Sequence, residues 1–436
     1  MEPNVICLLP NCAFLSETSR ILEIYRALRA RDVPVRVATH GGTYEHLLHE
    51  AGVRYDVVGP RMSSQRCAQF LRDEIGMGDV RQSTYTDDEL RIHARTEAAY
   101  FRAHDIRLAV TGFTLTTVLS TRLARIGLVT EHNGSWVPPV FEHRLLPAPA
   151  TPIKPAFRLL PGAAVRWLTN IAPPRVNFYC GGFNRVAAEL GVPPIPSLAA
   201  LVLGDLTLVT EAPEVIGIPE AVMHAWSSEG KRGYRPGMRL RYTGPLFAHL
   251  DRPVPEPVAR FLAPDGRPVV YVAITSSPPE LIRNVVRAVA PLDVRVLVAG
   301  TIHDLADLAD DWVCVAGVLP SHLVMPRVDL AITAGGQGSM QTAMSAGVPA
   351  IGLPLQPEQD LNIVLLERLG AAHRLALPHA GTPRLTALAH AMLSDGRYRQ
   401  AARRIQRIYA AIDGPADAIL AFAAEQRGRS QAAPGG

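Results

Sequence analysis

The chain has 436 residues, of which 48% are hydrophobic and 19% charged, a mixture typical of a folded globular protein. This length exceeds what one compact core usually holds, so we expect two domains. The formal net charge is only +4 at pH 7, and the densest arginine group, within 397–407, fits the solvent face of a helix. A nucleic-acid-binding protein is therefore not expected.

Five cysteines occur at wide spacings and without a CxxC pair: Cys7, Cys12, Cys67, Cys180 and Cys314. This pattern argues against a disulfide framework or a structural zinc site and suits a reducing cytoplasm. The amino terminus has no basic region, so we do not interpret it as a signal peptide. Residues 330–357 carry no charge, but glycines and prolines interrupt them too often for a membrane span, which needs about 20 predominantly apolar residues.

The first half of the chain alternates short apolar runs with helical patterns. It contains predicted strands at 5–10, 33–39, 55–58, 108–111, 128–130 and 206–210. The helical segments between them, such as 20–29 and 44–51, indicate parallel βαβ units and a doubly wound sheet. Residues 137–161 are rich in proline and lack periodicity, so we expect an irregular lobe over the mouth of a pocket.

A proline-rich stretch at 244–257 predicts a linker between two domains. The alternation then restarts, with strands predicted at 269–274, 294–299, 313–315, 330–333 and 350–353 and helices at 280–290, 339–346, 360–369 and 398–426. We divide the chain into an amino-terminal domain (1–245), a linker (246–264), a second α/β domain (265–412) and a tail (413–436) that packs back on the first domain.

The strongest local pattern is a strand that runs into three closely spaced glycines and then directly into a helix. Gly335, Gly336 and Gly338 allow backbone N–H groups to approach a ligand without an intervening Cβ. The start of the helix offers unpaired donors and a partial positive charge that suit a diphosphate, and Ser339 adds a hydroxyl. A tight turn without a ligand explains the glycines taken alone equally well.

A second polar segment follows the next predicted strand, at the sheet edge where parallel sheets bind ligands. Glu358 and Gln359 place an acceptor-only carboxylate beside an amide that both donates and accepts hydrogen bonds. This pair suits adjacent hydroxyl groups of a hexose. Capping of a helix that begins near Asp360 is the alternative explanation for Glu358.

Residues 331–374 resemble the donor-binding signature of the UDP-glycosyltransferase superfamily, whose members have the GT-B fold. The family pattern reads His-Gly-Gly-x-Gly-Thr/Ser, a helix, Gly-x-Pro, and Pro-x-x-x-Asp/Glu-Gln-x-x-Asn. The chain matches it in order with Gly335, Gly336, Gly338, Ser339, Gly347, Pro349, Pro354, Glu358, Gln359 and Asn362. Weaker similarity at 242–246, 269–277 and 318–320 extends the resemblance over nearly the whole chain.

The resemblance implies two Rossmann-like domains that face a cleft, with the acceptor bound by the first and a nucleotide sugar by the second. The donor-binding residues that it implies are Ser276, Ser277, Val318, Gly335, Gly336, Gly338, Ser339, Glu358 and Gln359. Among them Val318 faces the nucleotide base, and Glu358 with Gln359 holds the sugar. The implied donor is a UDP-sugar or dTDP-sugar, with UDP-glucose or a close hexose favoured, and no metal or cofactor is implied.

The chain departs from the family pattern at the opening of the loop. Ala334 stands where the family has a histidine that would help to carry charge on the departing diphosphate. Backbone donors must then do more of this work, and losing one such donor typically costs about a hundredfold or more in rate. Arg283 and Arg295 are candidates for compensation, but we expect solvated surface positions for both.

A second departure concerns the catalytic base. Relatives have a histidine at the start of the first helix, often supported by an aspartate at the end of a later strand. Here Glu17 aligns with the histidine, while the aspartate position falls near Thr111 or Gly112, which cannot play that part. A carboxylate can accept the proton of the acceptor hydroxyl, which is worth roughly 10²–10⁴ in rate. A helix-start carboxylate without a catalytic role is the alternative.

Three residues are candidates for the acceptor pocket. Arg20 lies one turn after Glu17 and can orient either that carboxylate or the acceptor. His132 and Trp136 follow a predicted strand, although a loop aromatic that fills its own cavity explains Trp136 equally well. No histidine spacing matches a metal site. The proline-rich and aromatic lobe 113–178 favours a small, apolar, hydroxylated acceptor.

We therefore predict a metal-independent, inverting glycosyltransferase of the bacterial small-molecule or natural-product type, cytoplasmic and compatible with a homodimer. Two alternatives stay open. Sugar-nucleotide 2-epimerases share the two-domain fold, but they are not expected to carry the Pro-x-x-x-Glu-Gln-x-x-Asn segment. A sugar-nucleotide-binding partner protein that has lost its base would also fit Ala334 and Glu17.

Overall fold

A computed structural model describes residues 5–74, 84–150, 159–274, 277–300 and 303–432. These residues form two α/β domains, each built on a parallel sheet. The amino-terminal sheet has the order β3-β2-β1-β4-β5-β6-β7. Its strands are β1 (Val5–Leu8), β2 (Val35–Thr39), β3 (Asp56–Val57), β4 (Ile106–Thr111), β5 (Gly127–His132), β6 (Leu206–Val209) and β7 (Arg239–Tyr242).

Both faces of the amino-terminal sheet are buried. Along β1, Ile6 and Leu8 belong to one hydrophobic cluster, whereas Cys7 belongs to another. This alternation follows from the two-residue period of a strand, which points successive side chains to opposite faces. The helices of this half are α1 (Leu15–Arg29), α2 (His46–Glu50), α3 (Ser64–Glu74), α4 (Asp87–Ala103), α5 (Thr117–Ala124), α6 (Pro138–Glu142), α7 (Gly162–Ile171), α8 (Gly181–Leu190), α9 (Leu198–Leu201), α10 (Pro213–Ile216) and α11 (Glu220–Ala225).

The carboxy-terminal sheet repeats this architecture with the order β10-β9-β8-β11-β12-β13. Its strands are β8 (Val269–Ala273), β9 (Arg295–Ala299), β10 (Val313–Ala316), β11 (Leu330–Thr333), β12 (Ala350–Gly352) and β13 (Ala372–Arg374). The helices of this half are α12 (Glu256–Phe261), α13 (Pro279–Val289), α14 (Ser321–Val324), α15 (Gln337–Ser345), α16 (Pro357–Arg368), α17 (Pro383–Ser394), α18 (Gly396–Ala410) and α19 (Ala416–Ala432).

The carboxy-terminal tail lies on the amino-terminal domain. Ile419 and Phe422 of α19 are buried in the cluster that contains Ile6 of β1. An ion pair of 2.7 Å between Arg239 and Glu425 adds a polar contact at the edge. The helix predicted at 398–426 is interrupted between α18 and α19, where Gly414 adopts a φ of +83°. The break lets the chain cross from the second domain to the first.

Several predicted boundaries shift in ways that matter for the site. The helix predicted at 339–346 begins at Gln337, and the helix predicted at 360–369 begins at Pro357. Strands β7 and β13 were not predicted, because they are only four and three residues long and carry arginine or histidine. Part of the proline-rich lobe is helical, since α6 begins at Pro138.

The uncharged segment 330–357 forms β11, α15, β12 and the start of α16 instead of one long helix. No helix within the described residues has the length and apolar character that crossing a bilayer requires. The five cysteines are free, and four of them are buried. The missing charges of this segment are explained by its position, because its strands lie in the centre of the carboxy-terminal sheet.

Candidate functional site

A cavity of about 530 Å³ lies between the two domains. Its walls come from residues that follow β1, β4 and β5 in the first domain and β10, β11 and β12 in the second. The carboxyl ends of both parallel sheets therefore face the same space. In doubly wound sheets this edge is where ligands bind. The resemblance in the sequence implied such a cleft, and the structure has it.

The three glycines after β11 serve different purposes. Gly335 has a φ of +84°, and a Cβ there would lie 2.4 Å from the Ile363 side chain, so packing and backbone conformation both require glycine. Gly336 and Gly338 line the cavity, and a Cβ on either would meet no atom within 4 Å. The space beside these two glycines is therefore open to a ligand.

The loop delivers the amino terminus of α15 to the cavity. Gly336 is the N-cap residue and, as a glycine, has no side chain that could cap the helix. Gly338 and Ser339 lie in the first turn and line the cavity. Four N–H groups at a helix start lack intrahelical partners, and the aligned peptide dipoles place a partial positive charge there. These groups suit a diphosphate.

Helix α15 is also fixed to the amino-terminal domain. The side-chain amide of Gln337 donates to the Thr210 carbonyl and hydroxyl, each at 2.7 Å. Gln341, one turn later, donates to the same carbonyl at 2.5 Å. The start of α15 therefore contacts the residue that follows β6 across the domain boundary. Neither glutamine could be identified from sequence, since amides on a helix carry no signal of the partner they will meet.

Ala334 provides no imidazole at the start of the loop, and its methyl group is buried in the core of the second domain. Neither candidate for compensation reaches the cavity. Arg283 pairs with Asp307 at 3.0 Å at the surface, as expected. The surface position expected for Arg295 is wrong: it is buried and donates to the Phe261 carbonyl at the opposite end of its strand. Buried guanidinium groups need such partners to offset lost hydration.

The predicted Glu–Gln pair is split by the start of α16. Glu358 lines the cavity, where its Oε1 accepts from Asn362 Nδ2 at 2.9 Å and from the side-chain amide of Asn133. Gln359 points elsewhere, and its Oε1 accepts from the Leu355 backbone N–H at 2.7 Å. Burial raises the pKa of Glu358, and its amide partners and Arg20 oppose this rise. A carboxylate facing the cavity can bind sugar hydroxyls, whereas Gln359 stabilises the helix start.

Asn362 connects the sugar-facing carboxylate with the phosphate loop. Its side-chain amide donates both to Glu358 and, at 3.0 Å, to the Gly335 carbonyl. Asn133 reaches Glu358 from the opposite domain. Residues of both domains therefore fix Glu358, and the role of Asn133 could not be found from sequence, since it follows β5 and is far from Glu358 along the chain.

Opposite the phosphate loop, Glu17 lies in the first turn of α1 and lines the cavity. Arg20 donates to Glu17 Oε1 and, through Nε, to Glu131 Oε1 at 2.6 Å. The structure places a second acid near Glu17 at a position that the family pattern does not mark, because Glu131 approaches from the end of β5 instead of the Thr111 or Gly112 position. The signal in the sequence that could have identified Glu131 was a carboxylate at the cavity end of an otherwise apolar strand.

The electrostatics of this group favour proton exchange near neutral pH. Burial raises the pKa of Glu17 to about 7; the Arg20 guanidinium opposes the rise, and the negative charge of Glu131 adds to it. Burial would lower the pKa of Arg20, but the two carboxylates outweigh burial and raise it, so the guanidinium stays charged. A carboxyl group that titrates near neutrality is suited to act as a general base.

Aromatic side chains form part of the acceptor side of the cavity. Phe14 and Phe113 pack edge to face with ring centroids 5.8 Å apart, and Trp136 packs on Phe141 at 5.2 Å. His132, which also lines the cavity, has its pKa lowered by burial. The structure thus brings His132 and Trp136 to the cavity with Glu17 and Arg20. Their surroundings suit an apolar ligand better than a charged one.

The remaining donor-side predictions have mixed outcomes. Val318 lines the cavity beyond β10, together with Tyr271, whose hydroxyl lies 3.3 Å from Ser321 Oγ. Ser277 is buried, and its hydroxyl donates to the Ile274 carbonyl at 2.6 Å within the turn. Ser276 falls outside the described residues. Among the residues that the structure describes, no group of three His, Cys, Asp or Glu side chains could hold a metal ion.

Comparison with known proteins relates the chain to glycosyltransferases. Residues 283–423 match the family model described as the erythromycin biosynthesis protein CIII-like, C-terminal domain. A PGL/p-HBAD biosynthesis glycosyltransferase of Mycobacterium tuberculosis is 29% identical over 299 residues, which are 68% of this chain and 65% of that protein. The match thus spans just under two thirds of this relative. A PGL/p-HBAD biosynthesis rhamnosyltransferase of Mycobacterium bovis is 27% identical over 81% of this chain and 75% of its own length.

Solved structures show the same fold over nearly the full length. The glycosyltransferase VinC, determined in complex with dTDP, superposes with a TM-score of 0.64 at 17% identity, covering 98% of this chain and 100% of VinC. The spinosyn rhamnosyltransferase SpnG has a TM-score of 0.63 at 15% identity, covering 96% of this chain and 99% of SpnG. The GT-B fold expected from the sequence is confirmed.

Proposed function

We propose that this chain, a member of the GT-B glycosyltransferase superfamily, transfers a hexose from a UDP- or dTDP-sugar to a hydroxyl group of a small apolar acceptor. The observation that carries the proposal is the set of residues that line the cavity. The start of α15 and the Glu358 carboxylate lie on one side, and Glu17 with the aromatic wall lies on the other. This arrangement separates a donor half from an acceptor half that contains the candidate base.

The donor half supplies binding and charge stabilisation. Backbone N–H groups of Gly338 and Ser339 would contact the diphosphate, and Glu358 would accept hydrogen bonds from sugar hydroxyls. Arg20 is the one Lys or Arg among the described residues that line the cavity, and two carboxylates already hold it. The helix start is therefore the main source of positive potential for the leaving diphosphate, and no metal ion is invoked.

The acceptor half binds the molecule that supplies the nucleophile and removes the proton from its hydroxyl group. The acceptor oxygen attacks the anomeric carbon from the side opposite the diphosphate, forming the new C–O bond as the bond to phosphate oxygen breaks. Its proton passes to Glu17, and the leaving electron pair stays on the diphosphate. A single displacement of this kind inverts the configuration at the anomeric carbon. General-base help is worth roughly 10²–10⁴ in rate.

The names of the relatives support the donor and acceptor classes. VinC was determined with dTDP, SpnG is a spinosyn rhamnosyltransferase, and the mycobacterial relatives belong to PGL/p-HBAD biosynthesis. The aromatic wall formed with Phe113 and Trp136 is compatible with an apolar acceptor carrying a hydroxyl group. These points make a natural-product acceptor the first class to test.

Thermal-shift measurements with UDP, dTDP and GDP would test the donor half. A ligand that binds only the folded state at 100 times its Kd stabilises it by about 2.7 kcal/mol, so we expect a clear rise in Tm with UDP or dTDP. Gly336→Ala places a methyl group in the open space beside the loop, where no protein atom interferes. This variant should keep the unliganded Tm and lose at least tenfold in nucleotide affinity. A full nucleotide shift in Gly336→Ala would contradict the proposed diphosphate position.

Glu17→Gln tests the base and separates an enzyme from a sugar-nucleotide-binding protein without catalysis. Turnover should fall by roughly 10²–10⁴ because the amide cannot take up the proton, while nucleotide binding stays unchanged. The readout is transfer to a panel of hydroxylated aromatic acceptors, followed by chromatography. Unchanged turnover would remove Glu17 from the mechanism. Nucleotide binding with no turnover in the wild type on any acceptor would favour the non-catalytic protein.

A further inference from the structure

Gly112, directly after β4, marks a place where two carboxylates meet. A Cβ built on Gly112 would lie 2.0 Å from Glu17 Oε2 and 2.4 Å from Glu131 Oε1. Contacts below 3.0 Å are not found for real Cβ atoms, so any side chain here would displace these groups. Gly112 does not have a positive φ, and its backbone would accept other residues. The position needs glycine because the carboxylates occupy the side-chain space.

One oxygen of each carboxylate is engaged and the other is unpaired. Arg20 donates to Glu17 Oε1 and to Glu131 Oε1. Glu17 Oε2 and Glu131 Oε2 are buried without a well-aligned hydrogen-bond partner among the described residues, although the Phe113 backbone N–H lies close enough to the Glu17 carboxylate to lower its pKa. Leaving two carboxylate oxygens buried and unpaired costs stability, since each loses its hydration without replacement. A site where such unpaired oxygens lower the stability of the fold is a candidate for function.

We propose that Glu131 is a positioning residue for Glu17: it fills the space left by Gly112 and holds Arg20, which fixes one oxygen of Glu17 and leaves the other without a partner. The inference rests on the proposed function, in which Glu17 is the base. The supporting acid reaches the base from β5 and through an arginine, whereas in the family pattern an aspartate at the Gly112 position would support a histidine.

The charges of the three groups explain why this arrangement suits a base. With both carboxylates ionised, Arg20 neutralises one of the two negative charges, so the group carries a charge of minus one. Taking the acceptor proton onto Glu17 brings the group to neutrality while the acceptor oxygen bonds to the sugar. Burial costs the neutral state less free energy than the charged state, which favours proton uptake. Glu131 thus supplies the negative charge that makes Glu17 a stronger proton acceptor.

Several other titratable groups lie near Glu17 and bear on any pH experiment. Arg20 lies on the same helix, Glu131 and His132 on β5, and Glu358 faces Arg20 from α16. His132 titrates below its ordinary pKa because it is buried. Variants of Glu131 and Arg20 should therefore move the acidic limb of the rate profile in opposite directions, which a change at His132 would not imitate.

The decisive experiment is the pH profile of kcat/KM for Glu131→Gln and Arg20→Gln beside the wild type. Glu131→Gln should move the acidic limb to lower pH, because the charge that opposes ionisation of Glu17 is gone. It should lower kcat about tenfold or more with little change in the KM of the donor. Arg20→Gln should move the limb to higher pH, since the cation that favours ionised Glu17 is lost. Glu131→Asp, which keeps the charge, should restore part of the rate.

Asp205→Asn is the matched control. Asp205 forms a similar ion pair with Arg122 at the other edge of the same sheet, away from the cavity, and accepts from the Leu128 backbone at 2.9 Å. This variant should lower Tm without moving the acidic limb. An unmoved limb in Glu131→Gln, or an equal shift in Asp205→Asn, would overturn the positioning role. Absent turnover in the wild type would instead count against the proposed function.

Thermal unfolding gives a second test that does not depend on turnover. Gly112→Ala should lower Tm by several degrees, because its methyl group collides with both carboxylates. Combining it with Glu131→Ala should recover part of that loss, because the Glu17 carboxylate can then shift into the space that Glu131 leaves. Additive losses in the double variant would show that the carboxylates do not share the space beside Gly112 and would overturn the geometric basis of the inference.

Discussion

The donor half and the acceptor half of the cavity are built in different ways. The donor half is nearly continuous in sequence, since β11, the glycine loop, α15, β12 and the start of α16 follow one another over 330–362. The base region of the acceptor half is assembled from Glu17, Gly112 and Glu131, which come from the ends of three different strands or from the residues that follow them. A diphosphate is bound mainly by backbone groups that need local geometry, whereas a base is tuned by charges that can come from anywhere nearby.

The largest effect is expected at the split Glu–Gln pair of the donor half. Glu358→Gln removes a carboxylate that faces the cavity, and hydrogen bonds to a charged group contribute about 1.5–3 kcal/mol each. We expect kcat/KM for the donor to fall a hundredfold or more. Gln359→Ala is the matched comparison, because Gln359 Oε1 accepts from the Leu355 backbone N–H and the loss of this bond should mainly lower Tm. Equal losses of activity in both variants would show that the pair acts as the sequence pattern suggested.

The glycines of the loop provide the next largest effect, on stability. Gly335→Ala combines a φ of +84° with a Cβ only 2.4 Å from Ile363, and we expect a loss of about 2–4 kcal/mol in the free energy of unfolding. Gly338→Ala should be neutral or slightly stabilising, since it lies within α15 and meets no atom. Urea unfolding of the two variants measures the difference. Similar stabilities would contradict the division of roles between these glycines.

In the acceptor half, the difference in stability between Glu17→Gln and the wild type should depend on pH. Glu17 has a folded pKa of about 7, above its ordinary value of 4.5, so ionisation destabilises the fold. The wild type therefore loses stability as pH rises from about 4.5 to about 7, by roughly 3 kcal/mol at most, and the glutamine variant does not. The advantage of Glu17→Gln should grow across this window and then stay constant. A constant difference between pH 4 and pH 8 would contradict it.

The control for this pH effect is again Asp205→Asn. The Asp205 pKa is lowered: burial would raise it, but Arg122 and the hydrogen bonds to the carboxylate outweigh burial. Its contribution to stability is present above its unfolded pKa and is lost as pH falls through the folded one, so the sign is opposite. Asp205→Asn should show no growing advantage between pH 4.5 and pH 7. An advantage like that of Glu17→Gln would indicate a general effect of removing buried acids.

The smallest effect is expected at the aromatic wall. Trp136→Ala removes one ring that lines the cavity and packs on Phe141. We expect the KM for an apolar acceptor to rise severalfold, below the effects described above, because part of the ring contacts protein instead of ligand. The affinity for UDP or dTDP should not change. Steady-state kinetics with one substrate varied at a time separates the two, and a loss of nucleotide affinity would place Trp136 in the donor half.

Much of the fold could be predicted because periodicity and turn chemistry are local. The predicted strand at 330–333 has the observed bounds, and most other predicted strands agree within a few residues. The short strands β7 and β13 were missed because they are held by pairing with neighbours instead of by a long apolar run. The predicted helix at 398–426 missed the break at Gly414, because only the tertiary structure shows that α19 packs on α1 and β5.

The sequence by itself determined the two-domain α/β architecture and the glycine loop between β11 and α15, since both depend on neighbouring residues and on backbone geometry. Only the tertiary structure decided which side chains of the site act together. It turned Gln359 away from the cavity, brought Asn133 to Glu358, and placed Glu131 beside Glu17 in the space over Gly112. Such contacts join residues far apart in the chain, and their energies depend on burial and on distances that no local pattern encodes.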